Sequence, residues 1–250
     1  MKIAAQLYTL REFLKTPEDI DKTLKKVKEI GYDAVQVSGL GDIDPQDLKT
    51  IVDREELTIC ATHIGFDRLK NDLDSVISDH KLWNCKYVGL GSMPDEYRKN
   101  KESFIQFAKE ASEIAKELQD NGLQFIYHNH NFEFVRFGDK TGLDILLENS
   151  DQAFDFEIDT YWVQAGGADP AQWITKVAGR MDVVHFKDMV VDGREPIMAE
   201  IGEGNLNWDR IIQVCDDIGV VWACVEQDVC QRDPFESLAI SLKNLKEMGL

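Results

Sequence analysis

The chain has 250 residues, of which 43% are hydrophobic and 30% are charged, as is ordinary for a soluble globular protein. Its 46 acidic residues outnumber 28 basic ones and give a net charge of −18. Such a surface repels nucleic acid and anionic membranes, so a neutral small molecule or a divalent cation is the expected partner.

Eight short apolar runs, rich in the residues that favour strands, follow one another along the chain. They cover residues 2–8, 34–39, 57–65, 87–91, 123–130, 153–159, 182–188 and 220–227. Longer amphipathic segments lie between these runs and predict helices. The segment TPEDIDKTLKKVKEIG has Thr16 as its N-cap, Pro17 in its first turn and Gly31 as its stop. Three further helices are predicted over residues 101–122, 205–219 and 233–249.

Eight strand–helix alternations favour parallel strands joined by right-handed crossovers. A closed (β/α)₈ TIM barrel of ~250 residues fits this pattern best. The competing fold is a doubly wound open sheet, but no G-x-G-x-x-G follows the first strand. Because no linker divides the sequence, we expect residues 1–250 to form a single domain.

The beginning of the chain, MKIAAQLYTLREF, has no signal-peptide core, and no apolar run reaches the ~18–20 residues that cross a bilayer. The five cysteines form no CxxC pair and are expected to be structural thiols. These features predict a cytoplasmic protein.

Polar residues collect where the predicted strands end, which is where a barrel carries its chemistry. They are His63 on the third strand, His128 and His130 on the fifth, Glu157 and Asp159 on the sixth, His185 and Lys187 on the seventh, and Glu226 on the eighth. Residues two apart on a strand share a face. Taken singly, each residue has a structural explanation, such as helix capping by Asp159 or a surface ion pair between Lys187 and Asp188. Together they indicate a site.

Carboxylates and an imidazole on the last three strands suit one divalent cation, such as Mn²⁺, Mg²⁺, Co²⁺ or Zn²⁺. A metal with open coordination positions can polarise a carbonyl and the hydroxyl on the adjacent carbon, which makes the α-hydrogen acidic. A flanking carboxylate, imidazole or amine then takes and returns the proton.

The chain resembles the sugar phosphate isomerase/epimerase family, the xylose isomerase-like barrels that also include inosose dehydratases and endonuclease-IV-type enzymes. The resemblance rests on QLYTLRE (6–12), YHNHNFEF (127–134), FEIDTYWVQAGGADP (156–170), VHFKDM (184–189), EIGEGNLNW (200–208) and VEQD (225–228).

The resemblance implies a divalent metal at the barrel mouth, with Asp159, His185 and Glu226 similar to three of its ligands. Many relatives carry ENH at the end of the fifth strand, where this chain has HNH. For the fourth ligand we favour Glu133 over His128, because a mostly carboxylate site suits a hard cation.

The remaining candidates concern proton transfer and substrate binding. His130 matches the histidine of ENH, and His128 lies beside it as a second candidate. Many relatives have a histidine where this chain has Trp162, whose ring can only form a wall. Glu157 and Lys187 therefore become the preferred proton-transfer groups, with an ion pair between these two residues as the structural alternative. His63 and Arg136 are further candidates for substrate contacts.

The resemblance implies a metal-dependent isomerase or epimerase that acts on a keto-sugar or polyol through an enediolate. A lyase of the inosose dehydratase type shares the first step, and a non-catalytic sugar-binding barrel is a third alternative. A DNA-repair endonuclease is disfavoured by the charge of −18 and by the presence of only five histidines. A small-molecule sugar is thus the expected partner, and a homodimer is compatible with a barrel of this size.

Overall fold

Eight parallel strands close into a barrel in the computed structural model, which describes residues 1–250. The strands are β1 (Lys2–Gln6), β2 (Ala34–Val37), β3 (Thr58–His63), β4 (Tyr87–Leu90), β5 (Gln124–His128), β6 (Phe154–Asp159), β7 (Val183–Phe186) and β8 (Trp222–Val225). Consecutive strands are neighbours all the way round, and β8 pairs with β1 to close the barrel. The predicted TIM barrel is confirmed, and each strand lies within its predicted range.

Ten α-helices accompany the strands. They are α1 (Pro17–Ile30), α2 (Pro45–Arg54), α3 (Phe66–Asn71), α4 (Leu73–Trp83), α5 (Lys101–Asp120), α6 (Gly142–Asn149), α7 (Thr160–Ala165), α8 (Pro170–Lys176), α9 (Trp208–Ile218) and α10 (Pro234–Glu247). At the start of α1 the Thr16 side chain accepts from the amide of Asp19, and Gly31 ends the helix with φ at 112°. None of the helices combines the length and the apolar character that a membrane span requires.

The inside of the barrel changes character along its axis. Near the amino ends of the strands it is filled by small or apolar side chains, among them Ala4, Ala34, Ile126, Val183 and Cys224. The residues two positions later on the same strands share the inward face and are all polar. These residues are Gln6, Gln36, His128, His185 and Glu226, and all are buried. The alternation within each strand thus places a polar layer at the carboxyl end.

Two hairpins extend the loops that follow β5 and β7. The first pairs Arg136–Phe137 with Lys140–Thr141, and the second pairs Asp188–Asp192 with Glu195–Ala199. The first begins eight residues after the end of β5 and the second two residues after the end of β7, and both strands carry polar side chains. They therefore lie on the side of the barrel where the site is expected.

Candidate metal and substrate site

Four potential ligands meet at the carboxyl end of the barrel. His128 ends β5, Asp159 ends β6, His185 lies in β7 and Glu226 follows β8. One ligand atom from each of them lies within 4.8 Å of the others, and all four side chains are buried. The register helps to assemble the group, since Asp159 pairs directly with His185 across β6 and β7. Residues separated by up to about a hundred positions thus form one cluster, which we call the ligand group.

Backbone contacts orient the first two members of the ligand group. His128 donates from Nδ1 to the carbonyl oxygen of Gly91 at 3.0 Å, which leaves Nε2 facing Asp159 Oδ2 at 3.2 Å. The other oxygen of Asp159 accepts from the amide of Trp162 at 2.8 Å and caps α7. Each side chain therefore uses one polar atom for support and turns the other toward the cluster.

Two neighbours hold the His185 ring between them. Its Nδ1 lies 3.1 Å from Glu226 Oε2, and its Nε2 lies 2.6 Å from Gln36 Oε1 and 3.2 Å from Glu157 Oε1. Burial opposes a charge on this ring, but Glu157 and Glu226 outweigh burial and raise the pKa of His185 to about 10. A divalent cation bound at Nδ1 would take the place of a proton there.

Lys187 extends a buried ammonium into the ligand group. Its Nζ lies 3.1 Å from Asp159 Oδ2, 2.8 Å from Glu226 Oε2 and 2.6 Å from Asp228 Oδ2. Burial disfavours this charge, yet the three carboxylates more than compensate and raise the pKa of Lys187 above its usual value. The suggested ion pair between Lys187 and Glu157 is therefore wrong, because the ammonium contacts Asp159, Glu226 and Asp228 instead.

Glu157 lies two residues below Asp159 on the inward face of β6 and is fully buried. Gln36 donates to one oxygen at 2.8 Å and His63 Nε2 lies 2.6 Å from the other. Burial alone would raise the pKa of Glu157, but the two histidine rings, His185 first, lower it below its usual value. Both oxygens of Glu157 are thus engaged inside the barrel, and the residue does not line the cavity. The structure therefore does not bring Glu157 to the position expected of a proton-transfer group, and it lies against His63 and His185 instead.

Two glycines of the fourth strand and its loop leave room for His63. A Cβ at Gly89 would lie 2.8 Å from the ring carbon Cδ2, and one at Gly91 would lie 2.8 Å from Nδ1. The ring stands 5.3 Å from the rings of His128 and His185 and lines the cavity described below. Burial is the main reason why the pKa of His63 lies below its usual value.

The structure does not place Glu133 in the ligand group. A short 3₁₀ turn, Phe132–Phe134, directs its side chain back under β5, where Tyr127 Oη donates to it at 2.6 Å. The amide of His130 donates to its second oxygen at 2.9 Å. Burial raises the pKa of Glu133 to about 7. The preference for Glu133 over His128 is therefore corrected, and Glu133 instead supports the turn that carries His130.

His130 and Trp162 pack against each other at the edge of the site, with ring centroids 5.3 Å apart. Trp162 also faces the ammonium of Lys187, which lies 5.4 Å from its ring centroid. The Nδ1 of His130 and the Nε1 of Trp162 are buried and have no hydrogen-bond partner in the protein. Unpaired buried polar atoms are rare, so these two are candidates for contact with a bound molecule.

A cavity of about 400 Å³ opens beside the ligand group, a size in the range of small-molecule sites. It is lined by Tyr8, Ser38, His63, Ile64, Gly65, Phe66, Leu90, Gly91, Ser92, Pro94, His128, His130, Glu226 and Asp228. Arg136 does not line it. That side chain is exposed and donates to the carbonyl of Asp139 within its own hairpin at 3.0 Å. The expected contact between Arg136 and substrate is corrected accordingly.

Sequence reasoning missed several polar residues of the site. Gln6 and Gln36 support the histidines from the first two strands, and Asn129 Oδ1 accepts from the amide of Asp159 at 3.0 Å. Asp228 holds Lys187 and lines the cavity. The two glutamines carry a signal in retrospect, since each lies two residues after an inward-facing alanine near the end of a buried strand.

The donor chemistry of the ligand group fits a divalent cation. Two imidazoles and two carboxylates form a mixed nitrogen and oxygen set, which suits Zn²⁺, Co²⁺ or Mn²⁺ better than the all-oxygen set preferred by Mg²⁺. No cysteine belongs to the set, unlike in a structural zinc site. The cavity reaches the group through His128 and Glu226, so a bound cation would face it.

Comparison with known protein families agrees with the TIM-barrel fold. A model of the xylose isomerase-like TIM barrel family matches residues 24–248. An inosose dehydratase from Geobacillus kaustophilus (strain HTA426) is 26% identical over 208 residues, which cover 72% of this chain and 65% of that protein. An inosose dehydratase from Clostridium beijerinckii (strain ATCC 51743 / NCIMB 8052) is 25% identical over 171 residues, which cover 61% and 57%. The chain thus spans less than two thirds of the length of either relative.

A solved structure shares the architecture from end to end. The crystal structure of a sugar phosphate isomerase/epimerase from Parabacteroides distasonis ATCC 8503 matches with a TM-score of 0.81 and covers 99% of this chain and 98% of that chain. The two sequences are 22% identical. At this identity the likeness shows a common barrel fold.

Proposed function

The chain belongs to the xylose isomerase-like TIM barrel family, and from this premise we propose that it is a divalent-metal-dependent isomerase or epimerase of a keto-sugar or related polyol. The observation that carries the proposal is the convergence of His128, Asp159, His185 and Glu226 beside a cavity. The reaction would begin with removal of a proton next to a carbonyl. It would end with return of a proton to the resulting enediolate.

A divalent cation held by the ligand group would polarise the substrate carbonyl and its neighbouring hydroxyl. The α-hydrogen, on the carbon that bears this hydroxyl, would then be acidic. The chain's own residues have supporting roles. Gln36 and Glu157 fix the ring of His185, and Gly91 fixes that of His128. Lys187 balances the carboxylate charge and keeps these side chains in place.

Two groups on well-separated strands can move the proton. His130 follows β5 and Asp228 follows β8, and two strands of the barrel, β6 and β7, lie between these two strands. Both residues line the cavity. A substrate between them would have one group on each side. In an epimerisation the deprotonated group would take the proton from one face, and the protonated group would supply a proton from the other face. In an isomerisation a single group can take the proton and return it to the neighbouring carbon.

A second candidate function is a dehydratase. Both curated relatives described above are inosose dehydratases, which favours this alternative. His130 would take the first proton and would then deliver that proton to the departing β-hydroxyl group, which leaves as water while the carbon–carbon double bond forms. Product analysis separates the two candidates, because dehydration forms an enone that absorbs in the ultraviolet and isomerisation does not.

Elemental analysis of protein purified without chelator tests the proposal. We expect close to one divalent ion per chain, and loss of that ion in the Asp159→Asn, His185→Ala double variant. Asp155→Asn is the matched control, because it removes a carboxyl from the same face of β6 outside the ligand group. Undiminished metal in the double variant would contradict the proposal.

Activity is then measured with a panel of ketoses and inososes in D₂O. An isomerase or epimerase incorporates deuterium next to the carbonyl without loss of water. Binding of metal and sugar without exchange of that hydrogen would identify a non-catalytic sugar-binding barrel instead.

A further inference from the structure

The charges on the cavity wall bear on what kind of sugar enters it. Among the lining residues only Glu226 and Asp228 are carboxylates, and no lysine or arginine is present. We infer, on the premise of the proposed function, that the substrate is an uncharged polyhydroxy ketone and that the cavity discriminates against its phosphate esters. The inference concerns substrate class, which neither the fold nor the ligand group decides.

The lysine nearest to the cavity cannot serve a phosphate group. Lys187 is fully buried, and its ammonium already contacts Asp159, Glu226 and Asp228 at 2.6–3.1 Å. To bind a phosphate, this ammonium would have to abandon buried carboxylates, which would leave them uncompensated. Lys187 is therefore a partner of the protein's own acids.

The arginines near the rim are also occupied. Arg11 donates to the carbonyl oxygens of Tyr8 at 3.0 Å and Asp228 at 2.9 Å, and its guanidinium stacks on the Tyr8 ring at 4.4 Å. Arg98 donates to Met93 O and Ser92 Oγ and lies 4.0 Å from the Phe132 ring centroid. Both side chains hold segments that contribute lining residues, and neither lines the cavity itself.

Two histidines that line the cavity have no free donor either. Both ring nitrogens of His63 are engaged, with Glu157 and Gln6, and both of His128 are engaged, with Gly91 and Asp159. A phosphate dianion would therefore meet two carboxylates, and the Lys187 ammonium and the proposed cation are already engaged with them. It would find no unengaged ammonium or guanidinium on the wall. Exclusion of such an anion follows from the charges of the wall.

Polar atoms on the wall and on Trp162, which packs behind the lining residue His130, suit hydroxyl groups. The unpartnered Nδ1 of His130 and Nε1 of Trp162 belong to adjacent rings. A hydroxyl can donate to a ring nitrogen and accept from an indole N–H, whereas a phosphate dianion only accepts. Ser38 supplies a further hydroxyl, and the aromatic rings of Tyr8 and Phe66 offer faces for the C–H groups of a sugar.

Calorimetric titration of the metal-loaded protein tests the inference with matched pairs. The uncharged probes are D-fructose, D-ribulose, D-xylulose and 2-keto-myo-inositol, and the charged probes are D-fructose 6-phosphate, D-ribulose 5-phosphate and D-xylulose 5-phosphate. We expect at least one uncharged ketone to bind, and each ester to bind at least about 100-fold more weakly than the best uncharged ketone. Tighter binding of any ester than of its parent sugar, or no binding by every uncharged ketone, overturns the inference.

Two variants test whether residues at the cavity cause the discrimination against phosphate esters. Ser92→Lys places a cation at the cavity and should narrow the difference between ester and parent about tenfold. Trp162→Phe keeps a ring but removes the N–H, and should weaken the uncharged ketone about tenfold with unchanged metal content. Trp222→Phe, at the amino end of β8, is the control. It should change neither the difference in affinity between ester and parent sugar nor the affinity for the uncharged ketone. If Ser92→Lys leaves the difference unchanged, the wall charge is not its cause and the inference fails.

Metal analysis of the same samples separates this inference from the proposed function. If the proposed function fails, the purified protein holds no stoichiometric metal in the ligand group. If only the present inference fails, the metal is there and the phosphate esters bind.

Discussion

Glu157 is the residue on which most of the inner polar contacts depend. Gln36, His63 and His185 all lie within hydrogen-bond distance of its two oxygens. A carboxylate behind a ligand imidazole fixes the ring and makes it a stronger ligand. Glu157 would therefore affect the proposed cation indirectly, through the ring of His185.

We predict that Glu157→Gln lowers the affinity for the divalent metal about 10–100-fold, because the amide NH₂ would face one of the ring N–H donors. Competition against a chelating dye measures this change. Asp155→Asn, two residues earlier on the same strand, should leave the affinity unchanged. Equal affinities for wild type and Glu157→Gln would contradict the positioning role.

At the scale of elements, Asp188 organises the loop between the hairpin after β7 and helix α9. One oxygen accepts from the amides of Met189 and Leu206, at 2.8 and 3.2 Å. The other accepts from the amides of Gly202 and Gly204 and from the indole of Trp208, at 2.9, 3.1 and 2.6 Å. A Cβ at residue 204 would lie 2.3 Å from the Asp188 carboxylate, so only glycine fits this approach.

Asp188→Asn should destabilise the protein by about 3 kcal/mol, because the amide nitrogen meets donors where an ionised oxygen accepted from them. Urea unfolding measures the loss, and limited proteolysis should show cleavage within residues 200–207. Asp192→Asn, at an exposed position of the same hairpin, is the control and should have a negligible effect. A variant as stable as the control would show that the loop does not depend on this carboxylate.

Helix α4 is joined to β3 by a buried histidine. His80 donates from Nδ1 to the Val76 carbonyl at 2.7 Å, and its Nε2 accepts from Thr62 Oγ1 at 2.8 Å. Burial lowers the pKa of His80 from 6.5 to about 4. The ring is therefore neutral in the folded protein at pH values where it is protonated in the unfolded chain.

Because the folded pKa lies below the unfolded one, the contribution of His80 to stability is complete above pH 6.5 and falls as the pH drops toward 4. At pH 5 the loss amounts to about 2 kcal/mol. The His80→Gln variant cannot titrate, so this part of the pH dependence should be absent when unfolding is followed between pH 8 and pH 5. An equally steep acid loss in the variant would exclude His80 as its source.

At the scale of the whole molecule, the ligand group links the last four strands of the barrel. One ligand comes from each of β5, β6, β7 and β8 or its following residue. Bound metal should therefore stabilise the closed barrel, while Lys187 partly compensates the carboxylates without metal. The excess of acidic residues, with a net charge of −18, also favours the approach of a cation.

Removal of the metal with a chelator should lower the Tm by about 5–10 °C, as expected when a ligand present at about 100 times its Kd is withdrawn. Differential scanning calorimetry with and without chelator measures the shift. The Asp159→Asn, His185→Ala double variant should show no shift, since it has no metal to lose. A chelator-independent Tm in the wild type would contradict the proposed linkage.

The single domain over residues 1–250 and the homodimer remain predictions at this scale. Size-exclusion chromatography with light scattering would decide the second. The barrel itself, by contrast, followed from the order of strands and helices along the chain.

Local patterns in the sequence determined the eight strands, the caps of α1 and the presence of polar residues at strand ends. They are readable because strand alternation and helix capping act over a few neighbouring residues. The convergence of Asp159, His185 and Glu226 at one mouth follows from these patterns once the barrel closes.

Only the tertiary structure decided which groups complete the site. The 3₁₀ turn after β5 sends Glu133 back to Tyr127 and leaves His128 among the ligands, and contacts across the barrel assign Lys187 to Asp228 and Glu157 to Gln36. These partners lie between 6 and 121 residues apart in sequence. No local pattern encodes such choices, because they depend on loop path and side-chain reach inside the closed barrel.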